Sequence, residues 1–279
     1  MTPTQLTPQE KDYLFDLQGY RVIDQALTPV QVAKINEWID RQPQVPAGNW
    51  LGHVEVHSYQ GNDGVNYQNV IEGGKVFEEL IDSPAWIEEV RRYVEGDNPG
   101  LSINEAFLNV RGQGGFIGVH SGGHVASFIQ SVRHLTGKWM VGQVNILMAL
   151  NDIGPGDGAT VVIPGSHKSH EIHPLLASGG HVAYRNDVAA SEAMGATEVH
   201  LKAGQAIMFT DAITHGSSPR VNPGQRRIMV YRYSPSSLTP RFNYIPSDEL
   251  LARLTPVQKA MVQPVPPRMN PDRLLSGAR

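Results

Sequence analysis

Four of the chain's 11 histidines stand where they could do chemistry: His120 and His124 in 117-IGVHSGGHVASF-128, His167 in 164-PGSHK-168, and His215 in 213-ITHGS-217. A histidine at the end of a strand is a common iron ligand, with a carboxylate two residues further on. Here the residue two after His120 is Gly122. Arg226 follows His215 by eleven residues and opens the next apolar run. An imidazole can hold a divalent metal, and a guanidinium at that offset can grip the distal carboxylate of a chelating acid as a bidentate pair. The spacing alone is weak evidence, because both residue types are common. His53, His57, His134, His173 and His181 have no such context.

These side chains need strands to hold them. Apolar runs rich in strand formers lie at 103–111, 141–152, 159–165, 206–210 and 227–233, separated by RGQGG, GPGDG and NPGQ. Those glycine clusters are turn chemistry, and short strands at this spacing predict an antiparallel sandwich or barrel. Neither RGQGG nor GPGDG matches a phosphate-binding fingerprint. Alternation puts Gln143, Asn145, Leu147 and Ala149 on one face of their run. Gln143 and Asn145 are amides in apolar company, so each needs a partner, either neighbouring backbone or a bound cofactor or substrate carboxylate, and the cofactor-binding reading is favoured. Asn109 on the preceding strand poses the same question. Arg111, Gln113 and Arg133 read as loop residues flanking the mouth.

Helices precede and follow this block. Leu-Thr-Pro occurs at 6–8, 27–29 and 254–256. In each, the threonine can cap a helix and the proline can occupy its first position, where no N–H is missed. A further helix is predicted over 83–96, with Ser83 as cap and Gly96 as stop. The expected organisation is one domain over 1–279: a mostly helical support region (1–100), a barrel core (101–235), and a C-terminal tail with one helix (236–279).

Composition removes several classes of function. The chain has 279 residues, no cysteine, and a net charge of −4 with no long basic run. Thiolate chemistry and disulfides are excluded, and no nucleic-acid footprint is present. No apolar run approaches the roughly 20 residues that cross a bilayer. The opening stretch is polar and acidic, unlike a secretory signal. The expectation is a soluble, cytoplasmic protein acting on a small molecule, with nothing that bears on oligomeric state.

The turn–strand–PGSHK segment, His215-Gly216-Ser217 and Arg226 together resemble the phytanoyl-CoA dioxygenase family of iron(II)/2-oxoglutarate oxygenases. The N-terminal stretch 12-DYLFDLQGYRVIDQALTPVQV-32 is also similar to the family's opening. The resemblance covers about 220 residues. It implies a mainly β fold with flanking helices, a double-stranded β-helix (jelly-roll, cupin-like) barrel with iron at its mouth. Carried over, His120 and His215 are iron ligands and Arg226 binds the far carboxylate of 2-oxoglutarate, with O2 as the second co-substrate. His167 would have a turn-stabilising or ligand-supporting role.

The resemblance fails at Gly122, where members carry aspartate. Three readings compete. Asp211, four residues before His215, can supply the carboxylate as a third metal ligand, or it can simply cap its turn. The position can stand open for a halide, as in related halogenases. Or the chain is a non-catalytic, cupin-like binding protein. A zinc hydrolase built on His120, His124 and His215 is a more distant reading. His124, Phe128 and Trp139 are the candidate substrate-lining residues, within mouth loops at 44–75, 121–140 and 170–198. The resemblance implies a dioxygenase that oxidises a C–H bond of a small metabolite and releases succinate and CO2.

Overall fold

In a computed structural model, residues 6–59, 63–95, 100–121, 132–135, 137–177, 184–238, 242 and 244–263 are described. The chain opens with α1 (Pro8–Gln18), β1 (Tyr20–Ile23) and α2 (Pro29–Asp40). Then come β2 (Trp50–Leu51), β3 (Val54–His57), β4 (Val65–Gln68), α3 (Lys75–Glu78) and α4 (Ile87–Val94). The central block holds β5 (Leu101–Arg111), β6 (Gly118–Ser121), β7 (Val132–Leu135), β8 (Lys138–Val141), β9 (Val144–Ala149) and β10 (Thr160–Val162). It continues with the short α5 (Pro174–Ala177), β11 (Tyr184–Ala189), β12 (Thr197–Val199), β13 (Ala206–Thr210), β14 (Thr214–Ser217) and β15 (Arg226–Pro235). Two helices, α6 (Asp248–Arg253) and α7 (Pro256–Val262), close the described part.

The strands form an eight-stranded sheet ordered β1-β13-β9-β15-β5-β4-β3-β2, a five-stranded sheet ordered β11-β6-β14-β10-β12, and a β7–β8 ribbon. Among the described residues every strand pairing in the two large sheets is antiparallel. The architecture is the expected double-stranded β-helix.

Period-two alternation sorts the core into layers. On β15, Met229, Tyr231 and Tyr233 face outward and join Phe15, Ile35, Phe77 and Trp86 of the helical layer. Ile228 and Val230 face the other way, into a second cluster with Phe107, Ala149, Ile207 and Phe209 between the sheets. The outward tyrosines also fix the helices. Tyr231 Oη donates to Phe77 O at 2.7 Å, and Trp86 Nε1 donates to Tyr233 Oη at 2.8 Å.

All three Leu-Thr-Pro starts form capping boxes. Thr7 pairs with Glu10, Thr28 with Gln31, and Thr255 with Gln258. Two expectations need correction. Ser83 does not cap a helix: α4 starts later, after Trp86, with no side-chain cap, and Ser83 Oγ instead accepts from Ala85 N at 3.4 Å. The first hundred residues are also not merely a helical support. They contribute β1 to β4, half of the large sheet, and the tail carries two helices rather than one.

Candidate active site

Cross-strand register brings the two expected histidines together. His120 on β6 pairs directly with His215 on β14. Their ring centroids lie 4.0 Å apart. Directly opposed antiparallel residues place their side chains on the same face, so both imidazoles point between the sheets. Gly216 makes the approach possible. A Cβ there would lie 2.7 Å from Gly118 O and 2.8 Å from Ile117 O.

Each ring is oriented by a carbonyl two residues back. His120 Nδ1 lies 2.9 Å from Gly118 O, and His215 Nδ1 lies 2.8 Å from Ile213 O. With Nδ1 protonated to donate, Nε2 carries the lone pair in both rings, the tautomer a metal ligand requires. Burial, then the neighbouring His215, push the His120 pKa well below the ordinary imidazole value. The ring is therefore neutral, and neutral imidazole is the ligating form.

The PGSHK segment holds this strand in place. Ser166 Oγ accepts from Thr214 N at 2.8 Å, immediately before His215. His167 Nε2 and Lys168 Nζ reach Asp16 O at the end of α1, at 3.0 and 2.7 Å. His167 is thus a tie between α1 and the His215 strand, the turn-stabilising half of its expected role.

Asp211 is buried near the histidine pair. Burial alone would raise its pKa. His215, Arg232, Asn145 and His120 outweigh that and keep the carboxyl below its usual range, so it is ionised. Asn145 Nδ2 donates to Asp211 Oδ1 at 2.8 Å, and Gln143 Nε2 donates to Asn145 Oδ1 at 3.0 Å. Gln143 and Asn145 therefore orient Asp211, and neither lines the cavity where a 2-oxoglutarate carboxylate was expected to meet them. Among the described residues, no three His, Asp or Glu side chains converge as a metal-holding group. Gly122, His124 and Phe128 lie outside the described residues.

A cavity of about 350 Å³ opens from the histidine pair. Arg226, Asn109 and Thr160 lie at one end of it, and Tyr59 and Arg232 at the other. Phe107, Leu147, Ile228 and Val230 form the wall between. Arg226 is buried with no carboxylate partner. Its Nη1 donates to Asn109 Oδ1 and its Nη2 to Thr160 Oγ1, both at 3.1 Å, while Nε has no partner. Burial, then Arg111 and Arg220, depress its pKa strongly. A buried cation without a counter-ion costs several kcal/mol, which an incoming anion relieves. These residues fit the far carboxylate of 2-oxoglutarate, and the histidine pair, each Nδ1 held by a backbone carbonyl, fits iron(II).

Two expected positions move. Arg111 is not a loop residue at the mouth. It is buried opposite Arg226, donates to Ser217 Oγ at 2.8 Å and Gly158 O at 2.9 Å, and has its pKa pushed down to about 10 by burial. Trp139 does not line the cavity. It packs against Phe15 and Tyr93 in the outer helical core, at 5.6 and 4.9 Å between ring centroids.

Sequence reading missed Arg232 and Glu105, whereas Tyr59 falls within the expected mouth loop 44–75 and lines the cavity. Arg232 Nη1 meets Glu105 Oε2 at 2.6 Å, and Tyr59 Oη donates to Glu105 Oε1. The signal was available for Arg232: in RRIMVYRY it stands six residues after Arg226, an even offset and so the same face.

The family model described as phytanoyl-CoA dioxygenase matches residues 15–228. The chain belongs to the phytanoyl-CoA dioxygenase family.

Similar structures include HygX from Streptomyces hygroscopicus with nickel and 2-oxoglutarate bound. It superposes with a TM-score of 0.67 at 20% identity, over 85% of this chain and 90% of that one. The non-heme alpha ketoglutarate dependent epimerase SnoN from nogalamycin biosynthesis gives a TM-score of 0.53 at 14% identity, over 83% and 85%. These likenesses support the barrel fold. Dioxygenase cdmD from Talaromyces verruculosus is 29% identical over 121 residues, covering 43% of this chain. The match spans about a third of that relative, 35% of its length. Among the described residues, no helix is long and apolar enough to cross a membrane.

Proposed function

We propose that this oxygenase oxidises a C–H bond of a small-molecule metabolite, with succinate and CO2 as co-products. His120 and His215 would hold the iron, Arg226 would hold the distal carboxylate of 2-oxoglutarate, and Asp211 would supply the carboxylate charge beside the pair. The observation that carries this reading is the buried Arg226 guanidinium. It has an unpartnered Nε and, among the described residues, no acid paired with it, and it lines the same cavity as the paired imidazoles.

When bound, iron(II) with 2-oxoglutarate supplies an oxidant strong enough for unactivated C–H bonds. The chain's own residues supply binding and position. Asn109 and Thr160 hold the Arg226 fork from two sides, so its planar edge is set before the co-substrate arrives. Phe107, Leu147, Ile228 and Val230 keep the space between apolar and dry. Hygromycin B, bound in a HygX structure with nickel and 2-oxoglutarate, is a small-molecule precedent within this fold.

A halogenase is the second reading. It is favoured by the lack of a converging three-donor group among the described residues, together with glycine at 122. Aerobic incubation with iron(II) and 2-oxoglutarate separates the two. The oxygenase reading expects succinate formation that is lost in His215→Ala and indifferent to chloride. Chloride-dependent incorporation of halogen into a product would overturn it in favour of the halogenase.

A further inference from the structure

Arg226 and Arg232 stand on one face of β15, about 20 Å apart at roughly 3.3 Å per residue. They mark opposite ends of one cavity. The histidine pair lies nearer the Arg232 end. His215 packs against Phe209 with ring centroids 4.8 Å apart, Phe209 pairs across strands with Asn145, and Asn145 pairs with Arg232. If 2-oxoglutarate reaches from the histidines towards Arg226, the Arg232 end is left for the molecule to be oxidised.

The polar atoms there are unevenly satisfied. Glu105 is held by Tyr59 Oη, by Gln68 Nε2 at 2.9 Å, and by Arg232 Nη1 at 2.6 Å. Three donors already converge on it, so its carboxylate is poorly placed to recruit an ammonium group. Arg232 is different. Among the described residues its only hydrogen-bonded nitrogen is Nη1, and its buried Nε finds no partner there. Its guanidinium carbon lies 5.4 Å from the Phe107 ring centroid, so one face of the cation is against the apolar wall. What the buried Nε lacks, among the described residues, is an acceptor, and a carboxylate oxygen is one. Glu105 and Asp211 stand at the same end, so a dianion would meet more repulsion there than a monoanion.

We propose that Arg232 anchors the oxidisable substrate, and that this substrate carries a carboxylate on an apolar body that packs against Phe107 and Val230. The proposal rests on the assignment of Arg226 to 2-oxoglutarate.

The test uses the full chain loaded anaerobically with iron(II) and saturating 2-oxoglutarate. Three probes of one shape are titrated calorimetrically: 3-phenylpropionate, 3-phenylpropionamide and 3-phenylpropylamine. The carboxylate is expected to bind about tenfold or more tighter than the amide, with the amine weakest. Arg232→Gln is expected to erase that preference while 2-oxoglutarate affinity stays within about threefold. Should Arg232→Gln fold poorly, the paired change Arg232→Met with Glu105→Met removes both charges together and reads the same preference. Equal binding of the three probes, no binding of any, or a carboxylate preference that survives loss of Arg232 would overturn the proposal. Failure of the underlying assignment looks different: 2-oxoglutarate binding would be unaffected by Arg226→Gln.

Discussion

His120 and His215 are direct cross-strand partners whose rings lie 4.0 Å apart, and each is aimed by a backbone carbonyl two residues before it. The site therefore depends on backbone register as much as on side-chain identity. Gly216→Ala tests this without touching either imidazole. Its new Cβ would press on Gly118 O, the carbonyl that orients His120. The expected result is a folded protein with iron(II) affinity reduced by about tenfold or more. Unchanged affinity would show that the close approach of β6 and β14 is not what sets the rings.

Asp211 gives a second prediction. Its charge is kept by His215, Arg232, Asn145 and His120 against the cost of burial. Asp211→Asn preserves size and removes the charge. Iron(II) affinity should fall by about 10–100-fold, the range for losing a ligand or its close support. Asn145→Ala should produce a smaller loss, since it removes only one hydrogen bond that aims Asp211. An Asp211→Asn protein that binds iron as well as wild type would reduce Asp211 to a turn residue.

Arg226 should show opposite effects on ligand binding and on stability. Arg226→Met removes a buried cation that has no counter-ion. The affinity for 2-oxoglutarate should drop by at least about 10–150-fold, equivalent to roughly 1.5–3 kcal/mol for a charged hydrogen-bonded contact. The ligand-free protein should melt no lower than wild type, because replacing an uncompensated buried charge by an apolar side chain is often neutral or stabilising. A large fall in Tm without ligand would mean that the bonds to Asn109 and Thr160, rather than ligand binding, are the main role of Arg226.

Stability should fall on mild acidification. His120 and His167 both titrate below the ordinary imidazole value in the folded chain, chiefly because of burial. Unfolded, they take up protons near about pH 6.5. The unfolded state then binds more protons, so stability is complete above about pH 6.5 and is lost as pH falls below it. The slope is at most about 1.4 kcal/mol per pH unit for each group. Denaturant unfolding of metal-free protein at about pH 5.5 and 7.5 measures this. His167→Gln should flatten the slope, and a pH-independent wild type would contradict it.

Much of this molecule was legible in its sequence, for identifiable reasons. The capping boxes at Thr7, Thr28 and Thr255 depend on residues three apart, so local reading found them. The strand runs of β5, β9, β10, β13 and β15 are apolar, β-branched and bounded by glycine turns. The short strands β6 and β14 carry the histidines but are only four residues each and show no alternation, so only the resemblance pointed to them. Arg111 was misread because an arginine next to Gly112 looks like a loop residue. Its partner Ser217 is 106 residues away and becomes a neighbour only when the sheets close. Trp139 reads as a mouth residue from its place in a loop-rich stretch, yet it packs edge-on against side chains of α1 and α4. Gln143 and Asn145 were correctly marked as buried amides needing partners. The partner is Asp211, across β13, which no spacing along the chain reveals.

The most direct test is an anaerobic titration of the metal-free protein with iron(II) and 2-oxoglutarate, following the visible charge-transfer band of the chelate. Wild type is compared with His215→Ala, Asp211→Ala and Arg226→Ala, each with and without chloride. The expected outcome is a band in wild type that is lost in His215→Ala, weakened in Asp211→Ala, shifted to much higher 2-oxoglutarate concentration in Arg226→Ala, and insensitive to chloride. No band in wild type at any concentration would contradict the assignment of His120, His215 and Arg226 as the iron and 2-oxoglutarate site.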